Sequence, residues 1–246
     1  MAVKNIALKT KSPNAPAGAK SGGLELYLKR IFALMFAAVG VTALASFITM
    51  ATPLWSLLFT ATGLSAFYYI LLFGGLALSI WTQVRAFSFK PSTGILLLML
   101  YAVLTGIVLT PLLLVAVTSN PYTILSAFVI AAVMFACMAL FGYKTVKDLS
   151  FLGIFLFIGM IGLVLVGLAS FIWPAIVGGT FGTIVCLVGV LVFALFTAYD
   201  MQTLKRAYAV LSDGNQKNQL AVLGALHLYI SFIAMFQYLL SLLNRD

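Results

Sequence analysis

Charge is what this chain has least of. Of 246 residues only 8% are charged, and just five are acids, whereas 63% are hydrophobic. No Asp, Glu, Lys or Arg occurs in residues 31–84, 91–143, 149–199 or 218–244. A water-soluble fold cannot hide that much apolar surface, and its loops would break such runs, so the solvent for most of this chain is lipid. A spanning helix takes about 20 apolar residues. The charge-free blocks are 54, 53, 51 and 27 residues long. The first three each hold two helices joined by an uncharged turn, and the last holds one. The expectation is an all-α membrane protein, a bundle of seven transmembrane helices over residues 24–246, preceded by a disordered basic tail over 1–23.

The net charge of +9 would suit a nucleic-acid surface if the bases clustered on a folded face. They fall instead at alternate ends of the spans. Lys4, Lys9, Lys11, Lys20, Lys29 and Arg30 precede span one; Arg85 and Lys90 follow span two; Lys144 and Lys147 follow span four; Lys205, Arg206 and Lys217 follow span six. Only Arg245 lies opposite. Thirteen of 14 bases on one side of an alternating path is the positive-inside pattern. It puts the N-terminus in the cytoplasm, makes the bilayer the partner, and leaves no role for nucleic acid. The first apolar run is too long for a cleaved signal and lacks a small-residue cleavage pattern, and a mitochondrial transit peptide would be richer in Arg.

Cysteine and histidine are scarce too. Cys137 and Cys186 sit inside apolar runs and are expected as small buried hydrophobes, with no disulfide framework. One His and two dispersed Cys do not supply the three protein ligands of a catalytic zinc. Gly63-Leu64-Ser65 begins a serine-hydrolase elbow, but Phe67 stands where the second Gly belongs. Span seven has no Lys for a Schiff base. No phosphate or dinucleotide fingerprint is present. Neither enzyme chemistry, nor a metal, nor a cofactor is expected.

Turn signals place the spans at about Ile31–Ala51, Thr62–Gln83, Gly94–Val117, Tyr122–Gly142, Leu149–Ile172, Gly178–Tyr199 and Gln219–Leu243. Pro111 should kink span three by freeing the carbonyl of Ile107. Gly178 and Gly182 suit close helix packing at the start of span six. Span six has the composition to continue as helix past the membrane, and Ser212-Asp213-Gly214-Asn215 forms the turn after it.

Among the acids Asp200 is set apart, because it abuts 51 uncharged residues. At the end of a span it would face the negative end of the helix dipole. Lys205 and Arg206 lie five and six positions on, outside the spacing of a good helical pair. Asp200 therefore pairs with another helix, carries a proton, or is an interfacial acid in water. His227 is the sole histidine, about two turns into span seven, at the depth of Asp200. It is either a proton sensor or a neutral imidazole bonded to a backbone carbonyl. Gly224, His227, Ser231 and Tyr238 share its face.

Five junctions together resemble the Bax inhibitor-1 family. They are Tyr27-Leu28-Lys29-Arg30, Lys90-Pro91-Ser92-Thr93-Gly94, Gly142-Tyr143-Lys144-Thr145 with Lys147-Asp148-Leu149-Ser150-Phe151, Thr197-Ala198-Tyr199-Asp200-Met201-Gln202, and Ala225-Leu226-His227-Leu228-Tyr229. The second is similar to the bacterial YccA-like branch. The resemblance implies a bundle with the last helix central, in the bacterial inner membrane. In some members it implies a pH-sensitive calcium leak, gated by two aspartates that share a proton with help from a nearby base. Asp200 matches the first aspartate. Ser231 stands at the second, Ala234 replaces an amide three residues later, and Arg85 is the candidate base. Without a second carboxylate the mutual repulsion that raises a dyad's pKa is missing. The branch implies another role as well: a non-conducting modulator or substrate of a membrane-bound ATP-dependent protease, with residues 1–23 as its handle.

Overall fold

A computed structural model describes residues 17–61, 63–173, 176, 178–211 and 214–245. Its seven helices are α1 (Ala17–Ala51), α2 (Ala66–Val84), α3 (Pro91–Ser119), α4 (Tyr122–Lys144), α5 (Ser150–Ile172), α6 (Gly179–Val210) and α7 (Gly214–Leu243). All seven are long and apolar enough to cross a bilayer. The starts follow local chemistry. Ser65 caps α2 by accepting from the Tyr68 amide, and Pro91 sits in the first turn of α3, where its missing N–H costs nothing. A 3₁₀ turn, Pro53–Leu58, and a two-residue hairpin, Phe59–Thr60 against Gly63–Leu64, join α1 to α2.

α1 begins at Ala17, and residues 1–16 of the expected tail lie outside the described residues. Pro111 lies inside α3. One expectation changes in detail. Cys186 is buried, but Cys137 faces outward, because lipid tolerates an apolar residue on either side of a helix.

α7 is the axis of the bundle: it packs against α1, α3, α4 and α6. Of its most apolar stretch 78% is buried, against 11% for α5. Small residues let the outer helices close on one another. A Cβ on Gly142 of α4 would meet the Ala198 carbonyl oxygen of α6 at 2.1 Å, and one on Gly106 of α3 would meet the Thr42 carbonyl oxygen of α1 at 2.5 Å. Hydroxyls tie the same seams. Ser46 donates to the Gly106 carbonyl at 2.8 Å, and Thr42 shares a 2.6 Å hydrogen bond with the Tyr229 hydroxyl of α7.

Candidate functional site

α6 runs ten residues beyond Asp200, to Val210. Asp200 is thus mid-helix, with the free carbonyls about 15 Å away. The negative end of the α6 dipole, confined to the last turn, therefore does not reach it. Asp200 is instead a carboxylate 8% exposed, on the face of α6 that meets α7. Its Oδ1 is 3.8 Å from His227 Nδ1. That is within ion-pair reach but longer than a direct hydrogen bond, so the two groups attract as ions only when His227 is protonated and are not locked together. On its other edge His227 Nε2 is 3.0 Å from the Oε1 of Gln83 on α2. The site is therefore a line of three side chains across three helices: Asp200, His227, Gln83.

Of the other residues expected here, Arg85 stands apart from this line and Ser231 stands next to it. Arg85 caps the C-terminus of α2 with φ −100° and ψ 11°, and its side chain is exposed. Among the described residues the ion-pair partner of Asp200 is His227, and Arg85 makes no ion pair. Two residues separate Gln83 from Arg85, about 200° around a helix, so when Gln83 faces α7 Arg85 cannot. Ser231 is buried one turn beyond His227, on the same face of α7. Lys205 and Arg206 turn away from Asp200: the Lys205 ammonium donates to the Tyr143 carbonyl at 2.9 Å, and Arg206 pairs with Asp148 at 2.7 Å.

Those two bases belong to a clamp at the basic end. Gln202, also on α6, accepts from the Leu149 amide at 2.9 Å and donates to the Lys147 carbonyl at 2.7 Å, fastening the loop between α4 and α5. Asp148 accepts from the Ser150 hydroxyl at 2.7 Å and from its amide at 3.0 Å. The Ser150 hydroxyl first, then Arg206, hold its carboxyl well below the usual carboxylate range. Gln219 of α7 does the same for the loop between α2 and α3, donating to the carbonyls of Phe89 at 2.6 Å and Phe87 at 3.3 Å. Arg30 of α1 bonds the Asn218 side chain. Sequence reasoning missed Gln83, Gln202 and Gln219. The available signal was an uncharged amide in an apolar helix, which must find a partner.

Among the described residues no group of three or more His, Cys, Asp or Glu is placed to hold a metal ion. Beyond His227, toward the other end of the bundle, a cavity of about 420 Å³ opens between α2, α3 and α5, floored by α7, with Tyr101, Thr105, Tyr229 and Gln237 among its walls.

Comparison with known proteins agrees with the architecture. The family described as "Inhibitor of apoptosis-promoting Bax1" matches residues 24–246. The inner membrane protein YbhL of Escherichia coli (strain K12) is 34% identical over 226 residues, covering 91% of this chain and 93% of its own. A membrane protein of Streptococcus pyogenes serotype M3 is 29% identical, with 91% and 94% covered, and a protein of Rickettsia prowazekii is 28% identical, with 91% of each covered. A seven-helix bundle built around its last helix, matched over nearly its whole length, places this chain in the Bax inhibitor-1 family.

Proposed function

We propose that the protein is an ion-permeable or ion-regulating protein of the bacterial inner membrane, with protons or calcium as the ion and its basic end in the cytoplasm. The Escherichia coli relative, an inner membrane protein, supports the location, and the one-sided bases support the orientation. Ser231 and the Lys90–Gly94 junction support the YccA-like branch as the finer grouping. The observation that carries the reading is the buried Asp200 carboxylate held 3.8 Å from the only imidazole in the chain.

The chemistry of that pair follows from Gln83. With the Gln83 carbonyl oxygen facing it, Nε2 carries the hydrogen. A neutral His227 then turns a bare lone pair toward Asp200. With one proton between them the pair attracts, as imidazolium with carboxylate or as imidazole with carboxylic acid, and α6 is drawn to α7. With no proton, a carboxylate faces a lone pair and the helices are pushed apart. With two, a net cation is buried without a counter-ion. The pair titrates as a unit, with His227 as the second titratable group where a dyad has a second carboxylate. Ser231 adds no charge to it.

The test is flux of protons and of calcium into proteoliposomes holding the full chain, from about pH 5 to 8. Leak should pass through a minimum where the pair holds its single proton and rise on either side. Asp200→Asn and His227→Gln should each remove that minimum, and Ser231→Asp should shift it. If both pair variants leave flux and pH profile at the wild-type level, the pair is only structural. No flux at any pH would overturn conduction and favour the non-conducting, protease-linked role.

A further inference from the structure

An apolar groove lies between α1 and α4. It has a volume of about 500 Å³ and its walls are almost wholly apolar: Phe32 and Phe36 from α1, Phe128 and Phe135 from α4, with Phe232 of α7 as the floor. On α1 it runs from Leu28 to Val39, about 17 Å of helix, which is the depth of one leaflet of a hydrocarbon core roughly 30 Å thick. A second apolar recess, of about 430 Å³, continues past Val39 and Phe128 into the other leaflet.

Every wall of the first groove ends in a lysine. Leu28 on α1 is followed by Lys29. Leu140 on α4 is followed one turn later by Lys144, on the same face. Met201 on α6 is followed one turn later by Lys205. Lys29 is held by Glu25 at 2.7 Å. Lys205 stands 4.9 Å over the ring of Tyr143, a groove residue, and spends one donor on the Tyr143 carbonyl, leaving two. Lys144 is exposed and makes no ion pair among the described residues. Asp148, the acid nearest along the chain, is already paired with Arg206. The mouth thus carries net positive charge directly above a slot one acyl chain deep.

We propose that this groove is a binding site for an anionic phospholipid of the leaflet at the basic end. One acyl chain lies along Phe32, Phe36 and Phe135, and the phosphate sits on Lys144 and Lys205. Basic pockets between transmembrane helices select anionic headgroups in this way.

Native mass spectrometry of the full chain, released from nanodiscs of phosphatidylglycerol or of phosphatidylcholine with identical acyl chains, tests the assignment. The protein should retain one phosphatidylglycerol at least about tenfold more often than one phosphatidylcholine. Lys144→Gln should cut that retention about fivefold, and Lys144→Arg should restore it. Ala136 is exposed on the groove wall, so Ala136→Trp fills the slot without disturbing the core; it should abolish retention while thermal stability in detergent is unchanged. Equal retention of the two lipids would overturn the proposal. So would retention that survives Ala136→Trp, since the lipid would then bind by its headgroup alone. A dimer that persists in place of bound lipid would show that the occupant is a second copy of the chain.

Discussion

α5 and α7 invert the rule that governs soluble proteins. α5 has the higher mean hydropathy, 2.8 against 1.8, yet 11% of its apolar stretch is buried against 78% for α7. In lipid the outside is as apolar as the inside, so hydropathy reports what a helix can show to lipid, and burial goes to the helix with the best shapes and polar pairings. α2, with a mean hydropathy of 1.5 and 17% buried, shows that low hydropathy alone does not centre a helix. What α7 has is a continuous series of contacts: Gly224 under Leu204, His227 on Gln83, Tyr229 on Thr42 and Phe232 on Phe135.

Paired substitutions sharpen that contrast. The largest difference is expected between two glycines. Gly142→Ala drives a methyl into the α6 backbone and should cost about 3 kcal/mol or more, because backbone cannot swing aside. Gly162→Ala on α5 meets nothing within 4 Å and should be neutral, or stabilising by up to about 1 kcal/mol. Equilibrium unfolding in detergent measures both. Next come two leucines. Leu228→Ala on α7, at 0% exposure, should cost about 2 kcal/mol or more through lost packing, whereas Leu165→Ala on α5, 59% exposed, should stay within about 0.5 kcal/mol. Equal losses would mean that α7 is not the packing centre.

Smaller effects test the polar ties. Tyr229→Phe removes the bond to Thr42 and should cost about 0.6 kcal/mol, typical of a hydrogen bond between membrane helices. Gln202→Leu should speed hydrogen exchange of the Leu149 amide about fivefold, with little change in unfolding. The smallest effect belongs to Asp148. Its carboxyl is held below the usual range, so its contribution is fully present above about pH 4 and is lost only as pH falls through the lowered value. The loop between α4 and α5 should exchange at the same pH-corrected rate from neutral down to about pH 4. Loosening already at pH 6 would point to another group.

The spans could be read from the sequence because lipid forbids charge: the gaps between Arg30, Arg85, Lys90, Lys144, Asp148 and Asp200 outline the helices almost by themselves. Asp200 and His227 stood out for the same reason. What stayed hidden depends on rotation about a helix axis. Gln83 and Arg85 are two positions apart, and composition favours the charged one, but only the orientation of α2 shows that the amide is the one facing α7. The outward turn of Cys137 is equally a matter of rotation. The length of α6 was legible, but its consequence was not, for the clamp made by Gln202 and Arg206 depends on where the α4–α5 loop folds back.

The central position of α7 also sets an order of events during synthesis. Six helices leave the ribosome before the one that fills the space between them. Until α7 inserts, the Asp200 carboxylate lacks His227, Thr42 lacks the Tyr229 hydroxyl, and the loop after α2 lacks Gln219. An interrupted chain would leave an ionisable group without its partner and the loop after α2 unfastened, and so would differ from the finished protein in a way that membrane quality control can detect. Biogenesis of this bundle is therefore close to all-or-none, completed by its last span.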